Sequence, residues 1–221
     1  MGQKETVIDI RGLDFCYPYG KEVFEGLNFS LKRGEMVGLT GANGAGKTTL
    51  FHLIMGLLKP EAGEIEIFSK VRKEEKDFME VRRRVGLLFQ DSDDQLFCPT
   101  VEEDIAFGPL NLGKSRGEAK AVVRETCERL GLKGFERKVA HRLSGGEKRL
   151  VALATVAAMN PECFLLDEPI AGLDEATTDR FLRYLKECGK TYVIITHDRE
   201  FLKSAVDKVY LLRDSKIIPW R

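Results

Sequence analysis

The sequence predicts an α/β fold: a mostly parallel sheet with helices, an antiparallel β subdomain at the N-terminal end and a helical subdomain inserted in the core. Three observations predict it. The stretch Gly41-Ala42-Asn43-Gly44-Ala45-Gly46-Lys47-Thr48 follows an apolar run at 36–39 and leads into a helix-like run at 49–55, the strand–loop–helix order of a parallel α/β unit. Two strand-like segments precede that run, at 6–17 and 23–31, and hairpin-like strands of this kind suggest an antiparallel sheet beside the parallel core. Composition turns from β-like to helical after Gln90 and returns to a strand pattern at Cys163-Phe164-Leu165-Leu166-Asp167, so residues 91–160 read as an insertion.

Taken in order, residues 6–17 alternate around Val7, Ile8, Ile10, Leu13 and Phe15, a strand closed by Tyr17-Pro18-Tyr19-Gly20. The second strand turns at Lys32-Arg33-Gly34 into a third at 35–40, which feeds the glycine-rich loop. A helix over 47–57 ends near Gly56 and Pro60, and 63–68 is another alternating strand. Residues 70–84 are dense in charge and read as a solvated helix face or loop. Residues 85–89 form a short buried strand, and a polar loop, Asp91 to Gln95, follows Gln90.

Glu102 to Phe107 is expected to form a short helix stopped by Gly108-Pro109. Ser115-Arg116-Gly117-Glu118 is a capping box opening a helix in which Ala119, Val122, Val123, Cys127 and Leu130 recur at helical spacing before Gly131. A second capping box, Ser144-Gly145-Gly146-Glu147, opens a helix rich in small residues that ends at Asn160-Pro161. The strand at 163–167 carries Asp167 and Glu168 at its carboxyl end, Asp174 caps a helix reaching about Glu187, and the core strand at 191–196 delivers His197-Asp198. A terminal hairpin, 206–212 with 217–220, closes the chain.

With 221 residues the chain can bury a substantial core. Lys+Arg and Asp+Glu both number 35, so no global field favours nucleic acid, and none is expected as a partner. The five cysteines (Cys16, Cys98, Cys127, Cys163 and Cys188) form no C-x-x-C pair, which fits reduced thiols better than a disulfide frame or a zinc site. Met1-Gly2-Gln3-Lys4-Glu5 has no apolar core for a signal peptide and no stretch reaches ~20 apolar residues. Any membrane role is therefore expected to come through a partner.

The chemistry is concentrated in the glycine-rich loop, a phosphate-binding loop. Small residues let backbone N–H groups turn inward on phosphate oxygens, and the helix behind presents its positive dipole end. Gly41, Asn43, Gly44, Ala45, Gly46, Lys47, Thr48 and Thr49 are thus nucleotide-binding candidates, with Lys47 a charge near the β- and γ-phosphates and Thr48 a hydroxyl for Mg²⁺. Gly145 and Gly146 are expensive at a helix start but leave N–H groups open to an anion. In open α/β sheets, ligands sit at the carboxyl ends of strands, which brings Asp167 and Glu168 to the phosphate loop's side. The parts suit nucleoside triphosphate hydrolysis: Asp167 supports Mg²⁺ through water, and Glu168 polarises the attacking water as general base. The acid pair also has a plain reading as a helix cap. His197 contacts the γ-phosphate, holds the water, or is structural; His52 and His141 read as structural.

In this order, the phosphate loop, Gln90, Leu143-Ser144-Gly145-Gly146-Glu147, Phe164-Leu165-Leu166-Asp167-Glu168-Pro169, Ala171-Gly172-Leu173-Asp174 and His197 resemble the nucleotide-binding subunit of an ABC transporter over nearly the whole chain. The resemblance implies one ATPase domain over 1–221, with an α/β core at 1–90 and 161–221 and a helical subdomain at 91–160. It implies ATP and Mg²⁺ as cofactors, Tyr17 stacked on adenine, and Gln90 on Mg²⁺ and the water. Leu173-Asp174 would lie in the loop crossing between subunits, and Ser144 to Glu147 would bind the γ-phosphate held by a second ATPase subunit. Integral membrane subunits would be the other partners, at the cytoplasmic face of the membrane.

The segment from Asp93 to Gly113, with Asp93-Asp94-Gln95-Leu96-Phe97-Cys98-Pro99-Thr100, is similar to the ATPases of energy-coupling-factor importers, including cobalt and nickel uptake systems. In that family it lies where the helical subdomain meets the membrane subunit. Ile170 stands where Thr is more usual. The rival reading, a soluble ABC protein acting on DNA or ribosomes, needs long coiled-coil arms or two ATPase units in one chain, and the sequence has neither.

Overall fold

The computed structural model describes residues 5–18, 20 and 22–220. The expectations about residues 1–4 and about Tyr19 in the turn lie outside the described residues.

Two sheets make the α/β fold that the patterning predicts. One is antiparallel, in the order β2 (Glu22–Lys32), β1 (Thr6–Cys16), β4 (Ala62–Ile67), β5 (Lys70–Val71). The other runs β10 (Lys216–Pro219), β9 (Lys208–Arg213), β3 (Met36–Thr40), β8 (Thr191–Ile195), β7 (Cys163–Asp167), β6 (Val85–Leu88), parallel except at β10. β7 and β8 are buried at every position, which is why they read as continuous apolar runs rather than alternating ones.

The pleat of these strands divides the core. Leu165, Val193 and Ile195 point to the side of the antiparallel sheet and α1 (Lys47–Ile54). Phe164, Leu166, Tyr192 and Ile194 point to the opposite face, against α5 (Gly145–Ala158) and its neighbours. Gly86 in β6 allows that second packing, because a Cβ there would lie 2.3 Å from Cγ1 of Val156 on α5.

Residues 91–160 hold α3 (Val101–Asn111), α4 (Arg116–Arg129), a 3-10 turn (Ala140–Arg142) and α5. Both foreseen capping boxes form: Ser115 and Ser144 each accept from the amide three residues on, and the carboxylates of Glu118 and Glu147 accept from the cap amides. Thr100 and Glu103 make a third, readable from the same spacing but not foreseen. α6 (Glu175–Cys188) starts where Asp174 accepts from the Thr177 amide, and α7 (Arg199–Ala205) is capped by Asp198.

Three expectations are corrected. Helix α3 does not stop at Gly108-Pro109 but runs through both to Asn111. Proline costs one backbone bond, and Gly108 lets α3 press on Met159, whose Cγ would be 2.6 Å from a Cβ at 108. Helix α1 ends at Ile54, because Gly56 takes φ +65° and the chain turns there, with the Leu57 amide donating to the His52 carbonyl. The charged run at 70–84 is not wholly solvated: it forms β5 and α2 (Glu75–Arg84), with Phe78, Val81 and Arg72 buried. Arg72 is held by the Ile67 carbonyl and by Glu80, whose carboxyl is thereby depressed to about 2.

Candidate active site

The sheet register sets the site. Leu39 of β3 and Asp167 of β7 both pair with Ile195 of β8, so the three strands end level and their following loops share one edge. The loop after β3 is the phosphate loop. Gly46, at φ +100°, caps α1 without a side-chain hydrogen bond, which leaves first-turn N–H groups facing outward for a ligand. A Cβ at Gly46 would lie 2.7 Å from Phe24 and from Val23. Lys47 folds back over the loop, its Nζ donating to the carbonyls of Gly41 at 2.9 Å and Ala42 at 3.0 Å. Burial lowers the pKa of the Lys47 ammonium, and the nearby carboxylates of Glu168 and Asp167 oppose that shift.

Thr48 Oγ1 donates to Asp167 Oδ2 at 2.6 Å. Asp167 is only 3% exposed, and desolvation raises its pKa against the stabilising Thr48 bond and the Arg149 charge. Glu168, next along, takes the left-handed backbone at φ +43°, its N–H bonded to the Ile195 carbonyl at 2.8 Å. That turn sends its carboxylate a different way from Asp167's, and Oε1 lies 3.6 Å from Nε2 of His197.

These groups line one cleft of about 540 Å³, together with Tyr17, Asn43, Gly44, Thr49 and Gln90. The Tyr17 hydroxyl pairs with Thr49 Oγ1 at 3.1 Å, and its half-exposed ring stands edge-on to Phe15. Gly41 and Ala45 lie in the loop itself without lining the cleft; the Ala45 amide closes the loop on the Ala42 carbonyl.

Ser144, Gly145, Gly146, Glu147 and Asp174 line a different cleft, of about 450 Å³, beside Gly172 and Arg180. One chain therefore does not bring them onto the phosphate loop. Two side chains received no role of their own in the sequence reading. Gln95 pins the loop after β6 to α5, accepting from the Phe89 amide and donating to the Ala152 carbonyl and Thr155. Arg149 lies buried at the start of α5, and a lone arginine at the head of a small, apolar helix was the available signal.

The profile of the ABC transporter family matches residues 24–171. The chain belongs to the ABC transporter family. Among its relatives, the energy-coupling factor transporter ATP-binding protein EcfA of Methanocaldococcus jannaschii is 46% identical over 96% of this chain and 77% of its own length. The protein of the same name from Methanococcus maripaludis is 43% identical over 96% and 78%. Of solved structures, cbiO1 from Clostridium perfringens, part of the ABC transporter complex cbiONQ, superposes with a TM-score of 0.86 at 34% identity, covering 97% of this chain and 88% of that one. The ATP-binding cassette MJ0796, in a dimeric post-hydrolysis state bound to ADP and Pi, superposes at 0.86 with 27% identity, over 95% and 96%.

As an ABC ATPase, the chain binds and hydrolyses ATP. The residues that the sequence marks as candidates thus fall into two clefts, one around the phosphate loop and another at the head of α5.

Proposed function

We propose that this chain is the ATP-hydrolysing subunit of an energy-coupling-factor importer, pairing with a second ATPase subunit and driving integral membrane subunits by closing and opening around ATP. The convergence of Lys47, Thr48, Asp167, Glu168 and His197 on one cleft carries the reading. Relatives named as energy-coupling factor transporter ATP-binding proteins, at 43–46% identity, support the transporter class. No described helix is long and apolar enough to cross a membrane, which fits a peripheral subunit at the cytoplasmic face. The zero formal charge gives no support to nucleic acid as a partner.

ATP would lie with its base on the Tyr17 ring and its phosphates on Asn43 to Thr49. Lys47 gives up carbonyl bonds of its own loop to reach the β- and γ-phosphates, exchanging neutral acceptors for anionic oxygens that bind an ammonium more strongly. The donor set fits Mg²⁺: the Thr48 hydroxyl, the Asp167 carboxylate and the Gln90 amide oxygen are hard oxygens, and no cluster of three His, Cys, Asp or Glu among the described residues suits a softer metal. Mg²⁺ bound there would neutralise phosphate charge. Glu168 takes the proton of the attacking water, and His197, within 3.6 Å of it, reaches the same space.

Ser144 to Glu147 supply the other half. They bind the γ-phosphate held by the second subunit, whose own phosphate loop they cover, with Leu173 and Asp174 in the loop that crosses between subunits. Closure excludes water and completes each site, so hydrolysis is coupled to separation. The helical subdomain, 91–160, carries the membrane-facing surface: Phe97 and Phe107 stack edge to face at 4.8 Å while 66% and 46% exposed, and Leu110 extends the patch. Asp104 fixes it by accepting from the amides of Phe97 and Cys98. The cargo, cobalt, nickel or a vitamin, is bound by the other subunits. Copurification with those subunits followed by ATP-dependent uptake of each candidate tests the reading; a chain that hydrolyses ATP yet recovers no membrane partner contradicts it.

A further inference from the structure

Arg149 has no role in the site as described, yet it is 3% exposed, and all five of its hydrogen bonds run to main-chain carbonyls. Two of these, Phe89 and Gln90, belong to the loop after β6; the other three, Asp167, Glu168 and Pro169, run from the last residue of β7 into the loop that follows. Burying a guanidinium on neutral acceptors is costly, so the arrangement persists only if something depends on its geometry. Burial lowers the Arg149 pKa to about 10, with Asp167, Glu168 and Asp91 opposing, so it stays charged at neutral pH.

What depends on it is the backbone of Glu168. A non-glycine residue at φ +43° sits in the left-handed region that its Cβ disfavours and holds only when fixed on both sides. Its N–H is fixed by the Ile195 carbonyl and its C=O by Arg149 at 2.7 Å. Arg149 in turn stands on α5 five residues after its cap Ser144, about 7.5 Å along the axis.

We infer that Arg149 is a positioning residue that ties the Ser144 end of α5 to Gln90 and Glu168 of the same chain, so that engagement of Ser144 by nucleotide on the second subunit sets the reach of this subunit's own water-activating groups. The inference rests on the shared-site reading above. Only a planar fork with five N–H donors bridges two loops in this way; a lysine ammonium offers donors from a single atom.

The test is steady-state ATP hydrolysis by the full chain and its Arg149→Lys and Arg149→Gln variants, with equilibrium binding of trinitrophenyl-ATP and thermal unfolding on the same samples. Glu168→Gln is run beside them. For folded variants, nucleotide affinity is expected within about twofold of the parent, with kcat lower by on the order of tenfold to a hundredfold, the effect of misplacing a reacting group by about 1 Å. Unchanged kcat, or a loss of affinity that accounts for the whole loss of rate, overturns the inference. If Glu168→Gln also retains full turnover, the ATPase reading of the site falls; if Glu168→Gln is inactive and both Arg149 variants turn over normally, only the positioning role falls. Should both Arg149 variants unfold, hydrogen exchange on Glu168→Gln decides. ATP is then expected to protect residues 88–91, 144–150 and 167–171 together, and protection of 144–150 alone overturns the coupling.

Discussion

Thr48 Oγ1 donates to Asp167 Oδ2 at 2.6 Å, joining the first turn of α1 to the end of β7 across 119 residues of sequence. The bond sets a hydroxyl and a carboxylate side by side in the cleft, two hard oxygens that would hold Mg²⁺ on the proposed reading.

Asp167→Asn tests the cost of that carboxylate. Burial raises the Asp167 pKa, so the ionised carboxylate is less favoured in the folded chain than in the unfolded one. Stability from this group is therefore full below the unfolded pKa near 3.8 and is lost as pH rises through the raised folded value. Asparagine mimics the neutral form and keeps an acceptor for Thr48. The nucleotide-free variant is expected to melt a few degrees above the parent at pH 7–8, with the gap closing as pH falls toward 4, while Mg²⁺-dependent hydrolysis is lost. Thermal unfolding across that pH range checks it, and a variant less stable at every pH contradicts the assignment of burial as the dominant effect.

Gly46→Ala tests the loop. The left-handed backbone and the 2.7 Å approach to Phe24 and Val23 both resist a methyl group. A loss of about 1–3 kcal/mol in unfolding free energy, with weaker trinitrophenyl-ATP binding, is expected. Binding at parental strength would show that the loop tolerates another conformation.

Much of this was legible beforehand, for a physical reason. The strands β3, β7 and β8 are buried on both faces and the helix starts carry capping boxes, so period, cap and loop chemistry agree. Glycine spacing marked the phosphate loop, and the acids after an apolar strand marked the sheet edge. Helix α3 misled because Gly108-Pro109 is a stop signal in isolation and packing on Met159 overrides it. Arg149 was missed because its partners are carbonyls, which leave no trace in side-chain patterns. The burial of Arg72 in a charge-rich run was hidden in the same way, its main partner being the Ile67 carbonyl.

Ser144→Arg separates the two halves of the site. Ser144 lies outside the cleft of the phosphate loop, so nucleotide binding by the isolated chain is expected to persist while turnover falls by at least on the order of a hundredfold. Calorimetric titration with ATP beside a phosphate-release assay measures both. Loss of binding and turnover in parallel would place Ser144 in its own chain's site.

Phe107→Ser removes half of the exposed aromatic pair. With its ring 46% exposed, stability is expected to stay within about 0.5 kcal/mol, while recovery of membrane subunits in detergent pull-downs drops severalfold. Undiminished recovery would move the docking surface elsewhere.

On the proposed reading, a second copy or paralogue of this chain closes the ATP site. The most direct test is the mass of Glu168→Gln in solution, measured by light scattering with and without ATP and Mg²⁺. A species of twice the 24.9 kDa chain mass is expected to form with ATP and to disperse without it. A Glu168→Gln chain that binds ATP and remains at 24.9 kDa, at concentrations where the parent turns over, would contradict that reading.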